Sequence, residues 1–117
     1  MLNSIRQAII ASKSKCFQIE ANNNNTNNNK LLDKPINYIE AFYLATLGGA
    51  KLMNLEDKIG SFDIGKEFDA QLINLNVKNS PVDTFHMDNI DNLFQKFIFL
   101  ADDRNVENVY VYGKQCI

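Results

Sequence analysis

The sequence predicts a single α+β unit, and three observations predict it. Apolar residues recur at helical spacing around residue 40 and again around residue 95. Alternating and β-branched runs stand at 68–73 and 106–112, the pattern of half-buried strands. At 117 residues the chain allows one small core. A (β/α)8 barrel, at about 250 residues, is out of its reach.

Residues 1–19 carry the stripe Leu2, Ile5, Ala8 and Ile9, which predicts an amphipathic helix. The same stretch holds Arg6, Lys13 and Lys15 with Ser4, Ser12 and Ser14 and has no acid before Glu20, a composition that also suits a mitochondrial transit peptide. From Asn22 to Asn29 every residue but Thr26 is asparagine. Such a tract buries no apolar surface to offset its ordering entropy, so residues 20–34 are expected to form a loop insertion.

Helices are expected over 36–55. Asn37 and Glu40 have the three-residue spacing of a capping box, and Ile39, Phe42, Tyr43 and Leu47 form the stripe behind it. Gly48 and Gly49 interrupt that stripe before Ala50, Leu52 and Met53 resume it, which suggests two short helices meeting at a tight turn. Gly60 and Gly65 bracket a turn-rich stretch, after which Phe68, Ala70 and Leu72 alternate with Asp69, Gln71 and Ile73 as in a strand. Leu93, Phe94, Phe97, Ile98, Leu100 and Ala101 predict a helix over 93–101, stopped by Asp102 to Asn105. Val106, Val109, Val111, Tyr110 and Tyr112 favour a strand, and Gly113 with Lys114 suggests a type II′ hairpin turn leading to Gln115–Ile117.

Composition excludes several function classes. Twelve basic and fourteen acidic residues give a net charge of -2, so no field draws the chain to nucleic acid or to an anionic membrane. Phe94, Phe97 and Phe99 have only one basic residue, Lys96, among them, which makes a poor platform for bases. No run approaches the ~20 apolar residues of a spanning helix. Cys16 and Cys116 stand far apart and in no CxxC, which fits a reduced, cytoplasmic protein.

Candidate chemical motifs are few. Gly60-Ser61-Phe62-Asp63-Ile64-Gly65-Lys66-Glu67 nearly matches a phosphate-binding loop, but Glu67 replaces the hydroxyl that holds magnesium and a strand, not a helix, is expected to follow. His86 lies among Asp83, Asp88 and Asp91, yet one histidine with scattered aspartates reads as a solvated loop. Adjacent Asp102 and Asp103 point apart at a helix end, with Arg104 there to neutralise them. No nucleophile elbow is present, and neither cysteine has a histidine near it in sequence. No catalytic, substrate-binding or metal-ligating residue is assigned.

Glu40-Ala41-Phe42-Tyr43-Leu44-Ala45-Thr46-Leu47-Gly48-Gly49-Ala50 resembles the E-x-x-x-x-A-T-x-x-G-A stretch of the amidohydrolase superfamily. Ile59-Gly60-Ser61-Phe62 with Gly65-Lys66-Glu67-Phe68-Asp69-Ala70 resembles the element whose glycines turn that chain into its β-sandwich, which explains the false phosphate loop. Gln95-Lys96-Phe97 with Leu100, Asp102-Asp103-Arg104-Asn105, Val109-Tyr110-Val111 and Gly113-Lys114-Gln115 resemble the C-terminus of guanine deaminases in particular. Met1-Leu2 with Ile5-Arg6-Gln7-Ala8 resembles the helix after the last barrel strand. The likeness is patchy over 78–92.

The resemblance implies the last helices of an amidohydrolase TIM barrel (1–19, 36–55) and C-terminal strands of its composite β-sandwich (59–117, with helix 93–101). It also implies hydrolysis of guanine to xanthine and ammonia by a zinc-bound hydroxide. In the family a His-x-His pair, two later histidines and an aspartate hold the zinc, and a glutamate shuttles protons. All lie upstream of the helix that opens this chain, and no ligand role passes to His86. The expectation is therefore a truncated region of a guanine deaminase-like hydrolase, inactive alone. The alternative is a complementing half, or a non-catalytic partner, of a full-length deaminase chain. Lacking the barrel and the N-terminal strands, the apolar faces around Phe42, Leu47, Phe97 and Leu100 should stay partly exposed, which makes a marginal solitary domain.

Overall fold

The computed structural model describes residues 1–23 and 34–116. It contains helices α1 (Leu2–Asn23), α2 (Tyr38–Ala45), α3 (Leu47–Leu52) and α4 (Ile90–Leu100), and strands β1 (Ala70–Ile73), β2 (Val106–Val111) and β3 (Lys114–Gln115). The strands form one antiparallel sheet in the order β1-β2-β3, so the fold is a mixture of helices and a small sheet. Helix α1 continues through Asn23 into the range expected to be loop. The rest of the asparagine tract lies outside the described residues, as does Ile117.

Helix α2 begins as its spacing predicts. The Asn37 side chain accepts from the Glu40 amide (2.9 Å) and the Glu40 carboxylate accepts from the Asn37 amide (2.8 Å), so each satisfies an orphan donor of the first turn. The break between α2 and α3 falls at Thr46, and not at the glycines, both of which lie inside α3. Two effects place it there. The Thr46 hydroxyl donates back to the Phe42 carbonyl (2.9 Å), which favours a local turn over continued helix. The glycines instead permit close return, because a Cβ on Gly48 would stand 3.1 Å from both the Tyr43 ring and its carbonyl oxygen.

Gly60 is needed for similar reasons. Its φ is +93°, and a Cβ there would meet the Leu47 Cα at 2.9 Å, where the loop after α3 folds back over that helix.

Helix α4 starts at Ile90, one turn before the first residue of its predicted stripe, because Asn89 caps it by accepting from the Asn92 amide (2.8 Å). No basic residue stands in its last turn. Arg6 of α1 supplies that charge instead, donating to the Ile98 carbonyl (2.7 Å) and to the Ala101 carbonyl, two of the unsatisfied oxygens of the helix end. Ile5, Ile9, Ala41 and Ile98 form the buried core of the helical group. Phe42 meets Phe94 edge-on at 5.0 Å between ring centroids, and Tyr38 lies 5.9 Å from Phe94, on the flank of that core.

In the sheet, Ala70 pairs with Tyr110 and Gln71 with Val109, and a bulge follows Leu72. The hairpin from β2 to β3 turns one residue earlier than predicted. Tyr112 (φ +57°) and Gly113 (φ +73°) are its two central residues, and Val111 pairs with Lys114. Positive φ at both positions makes the turn type I′ and not II′, in which only the first central residue has positive φ.

Close packing occurs within the helical group and within the sheet. The radius of gyration is 17.9 Å, against about 13 Å for a compact domain of this length. Many large apolar side chains stay exposed, among them Leu52 (89%), Ile90 (78%) and Phe62 (77%).

Candidate functional site

The residues singled out by their chemistry do not converge. His86 is exposed in the loop before α4. Of its neighbours in sequence, Asp88 is committed elsewhere, since its carboxylate accepts from the Lys96 ammonium and from the Phe85 amide. The Lys96 hydrogen bond, reinforced by that amide, holds the Asp88 carboxyl below the ordinary aspartate range. Lys96 also donates to the Asp83 carbonyl (2.9 Å) and lies 4.6 Å from the Phe85 ring centroid. The group around Lys96 is thus a latch that ties the 83–88 loop to α4.

A depressed carboxyl stabilises the folded state above the unfolded pKa and loses that contribution as pH falls through the lower, folded value. The 83–88 loop is therefore expected to stay docked down to about pH 4 and to loosen below it. Amide exchange at Phe85 followed against pH should show this acid limb, and Asp88→Asn should remove it. An unchanged limb in the variant would show that another group is responsible.

Asp102 and Asp103 do not act as a pair. Asp102 is held by Arg104, whose guanidinium lowers its carboxyl below the usual range, and it also accepts from the Arg104 amide. Arg104 reaches on to the Asn79 carbonyl (2.8 Å).

The loop at 60–67 has no phosphate cradle. The Lys66 ammonium bonds the Ser61 hydroxyl (2.6 Å) and lies 3.2 Å from Asp63, and the next regular element is β1. Cys16 lies partly buried on α1, and Cys116 is exposed beyond β3. Among the described residues no three His, Cys, Asp or Glu side chains come together. The donors present do not fit a histidine-rich zinc centre, and no catalytic step is derived through a metal here.

What the fold does build is an apolar trough of about 1310 Å³ between the helices and the sheet. Phe42, Phe94 and Phe97 line it from the helical side, and Ile73, Val109 and Tyr110 from the sheet. The apolar faces expected around Phe42 and Phe97 form part of it, but the trough as a whole has no local signal in the sequence. Its walls come from segments far apart in the chain.

Comparison with known proteins supplies the context for these observations. The amidohydrolase family model matches residues 9–116. The chain belongs to this family. Among curated members, a guanine deaminase of Dictyostelium discoideum is 44% identical over 115 residues, which is 98% of this chain and 23% of that protein. A guanine deaminase of Mus musculus is 42% identical over 121 residues, covering all of this chain and 24% of the relative. Among solved structures, Escherichia coli guanine deaminase superposes with a TM-score of 0.57 at 33% identity, over 72% of this chain and 20% of that one. The amidohydrolase chain described here thus spans about a quarter of the length of the curated relatives it matches, and it corresponds to a fragment of a guanine deaminase-like sequence.

Proposed function

We propose that the chain is the C-terminal portion of a guanine deaminase-like hydrolase and is inactive alone. The observation that carries this reading is the 42–44% identity to guanine deaminases across essentially the whole chain, with less than a quarter of their length represented. In this reading residues 1–19 are the helix after the last barrel strand. Residues 20–34 are an insertion, 36–55 pack outside the barrel, and 59–117 contribute strands to the sandwich with helix 93–101 against them. The whole enzyme, a cytoplasmic protein of purine catabolism, uses one zinc to convert guanine and water to xanthine and ammonia. Its metal ligands and proton-transfer group lie outside this chain, whose only histidine is the exposed His86.

The test is direct. Purified 1–117, incubated with guanine and zinc, is expected to produce no xanthine above the buffer rate and to retain far less than one zinc per chain after dialysis. The Dictyostelium relative serves as the positive control. Turnover by 1–117 itself, abolished by a chelator, would overturn the reading. A second reading, that the chain assembles with another polypeptide carrying the rest of the fold, is favoured by the open apolar trough.

A further inference from the structure

Residues 74–89, between β1 and α4, form neither helix nor strand. Within them Pro81 follows Ser80, and since the chain's other proline follows Lys34, Ser80-Pro81 is its only serine–proline or threonine–proline pair. Lys78, Asn79 and Pro81 are exposed around Ser80, which is itself half-buried. The Ser80 hydroxyl oxygen accepts from the Asn105 side-chain nitrogen and from the Val82 amide, each at 3.0 Å. Among the described residues that hydroxyl donates to nothing, so its proton is free to leave.

Two neighbours make a charge at this position consequential. Asn105 is completely buried, and a dianion cannot follow the Ser80 oxygen into contact with it without a desolvation cost that one neutral amide does not offset. On the solvent side, the Arg104 Nη1 donates at 2.8 Å to the carbonyl of Asn79, one residue before Ser80. The Arg104 side chain is half exposed, and its planar fork of donors suits a phosphate. Asp102 occupies the Nε and Nη2 edge of that guanidinium, which leaves the Nη1 end for the 79–80 segment.

We propose that Ser80 is the phosphoryl acceptor for a proline-directed, ATP-dependent protein kinase, and that the phosphate unhooks the 74–80 loop from Asn105 and pairs it with Arg104. In the transfer, the Ser80 oxygen bonds the γ-phosphorus of ATP while the bond to the β,γ-bridging oxygen breaks. ADP leaves with that electron pair, and the hydroxyl proton passes to the kinase's catalytic aspartate. Asn105 then keeps the Asn74 carbonyl but loses the other acceptor of its side-chain nitrogen. The effect reaches the sheet, because the Asn74 amide, directly after β1, donates to the Asn105 main-chain carbonyl at 2.9 Å. Nothing in this switch depends on deaminase activity.

The test treats purified 1–117 with a mitogen-activated, proline-directed kinase, magnesium and ATP. One phosphoryl group per chain is expected, located on Ser80 by fragment mass analysis and lost in Ser80→Ala. Pro81→Ala should slow incorporation by roughly tenfold or more, the scale of a missing specificity contact. In the phosphorylated chain, amide exchange at Asn74 should quicken by roughly tenfold, the scale of one lost hydrogen bond. Phosphorus-31 titration should find the second phosphate ionisation below its ordinary value of about 6, held there by Arg104, and Arg104→Gln should restore it. Circular dichroism reads the folding of each variant, and a peptide spanning 76–86 reports whether the kinase accepts the bare sequence. Phosphorylation of the peptide with none on the folded chain, phosphorylation of neither, or incorporation indifferent to Pro81 would each overturn the proposal. So would a phosphorylated chain with unaltered Asn74 exchange, or a phosphate ionisation indifferent to Arg104.

Discussion

Ile98→Ala is expected to abolish the cooperative packing of the helical group. Ile98 is fully buried on α4 and shares its cluster with Ile5, Ile9 and Ala41, drawn from two other helices. Truncating a buried isoleucine to alanine costs about 2–5 kcal/mol, through lost transfer energy and the cavity left behind. With so few buried residues, that is a large share of the stability a small domain holds. The urea midpoint should fall by roughly 1–2 M, or the transition should lose its sigmoid shape, with near-ultraviolet dichroism lost before the helical signal. Ile98→Val, expected to cost about 0.5–1.5 kcal/mol, is the control. If both variants shift the midpoint equally, Ile98 is not the centre of this core.

The second large effect is expected at Asn105, whose side chain is completely buried. Its amide nitrogen donates to the Asn74 carbonyl and to the Ser80 hydroxyl, each at 3.0 Å, and its oxygen accepts from the Asp102 amide at 3.2 Å. One side chain thereby joins the end of α4, the start of β2 and the 74–80 loop. Asn105→Ala leaves three groups without that partner and should destabilise by about 2–4 kcal/mol, since an orphaned buried polar group costs about 1–3 kcal/mol and some of these can rehydrate. Asn105→Asp separates hydrogen bonding from packing. The ionised carboxylate points an acceptor at the Asn74 carbonyl, and protonation restores one donor. That variant should therefore gain stability relative to the parent as pH falls, which thermal melts across pH can measure. A pH-independent deficit would argue against the assigned hydrogen bonds.

Legibility in the sequence followed the range of the interaction. The capping box at Asn37 and Glu40 is local, and three-residue spacing suffices to specify it. The stripe at Phe94, Phe97, Ile98 and Ala101 was equally plain, because a helix repeats its buried face every 3.6 residues. Thr46 and Tyr112 were not legible in the same way. Helix-breaking was assigned to Gly48 and Gly49, but their lack of side chains serves close packing against Tyr43. The sequence suggests Gly113 with Lys114 as the hairpin turn, whereas the strand register pairs Lys114 with Val111 and places Tyr112 beside Gly113 in the left-handed region. In the sequence Asn105 shows only as part of a helix stop, since its partners Asn74 and Ser80 lie 31 and 25 residues away.

Sequence by itself determined the α+β composition, most helix and strand positions, the amidohydrolase kinship and the shortage of soft metal ligands. These follow from local periodicity, residue inventory and motif spacing, none of which needs a third dimension. Tertiary structure alone decided that Arg6 closes the end of α4, that Lys96 holds the 83–88 loop, and that helices and sheet together wall an apolar trough. Each depends on bringing together groups distant in the chain. The trough in particular exists because helices and sheet each pack well internally and leave between them a space that this chain does not fill.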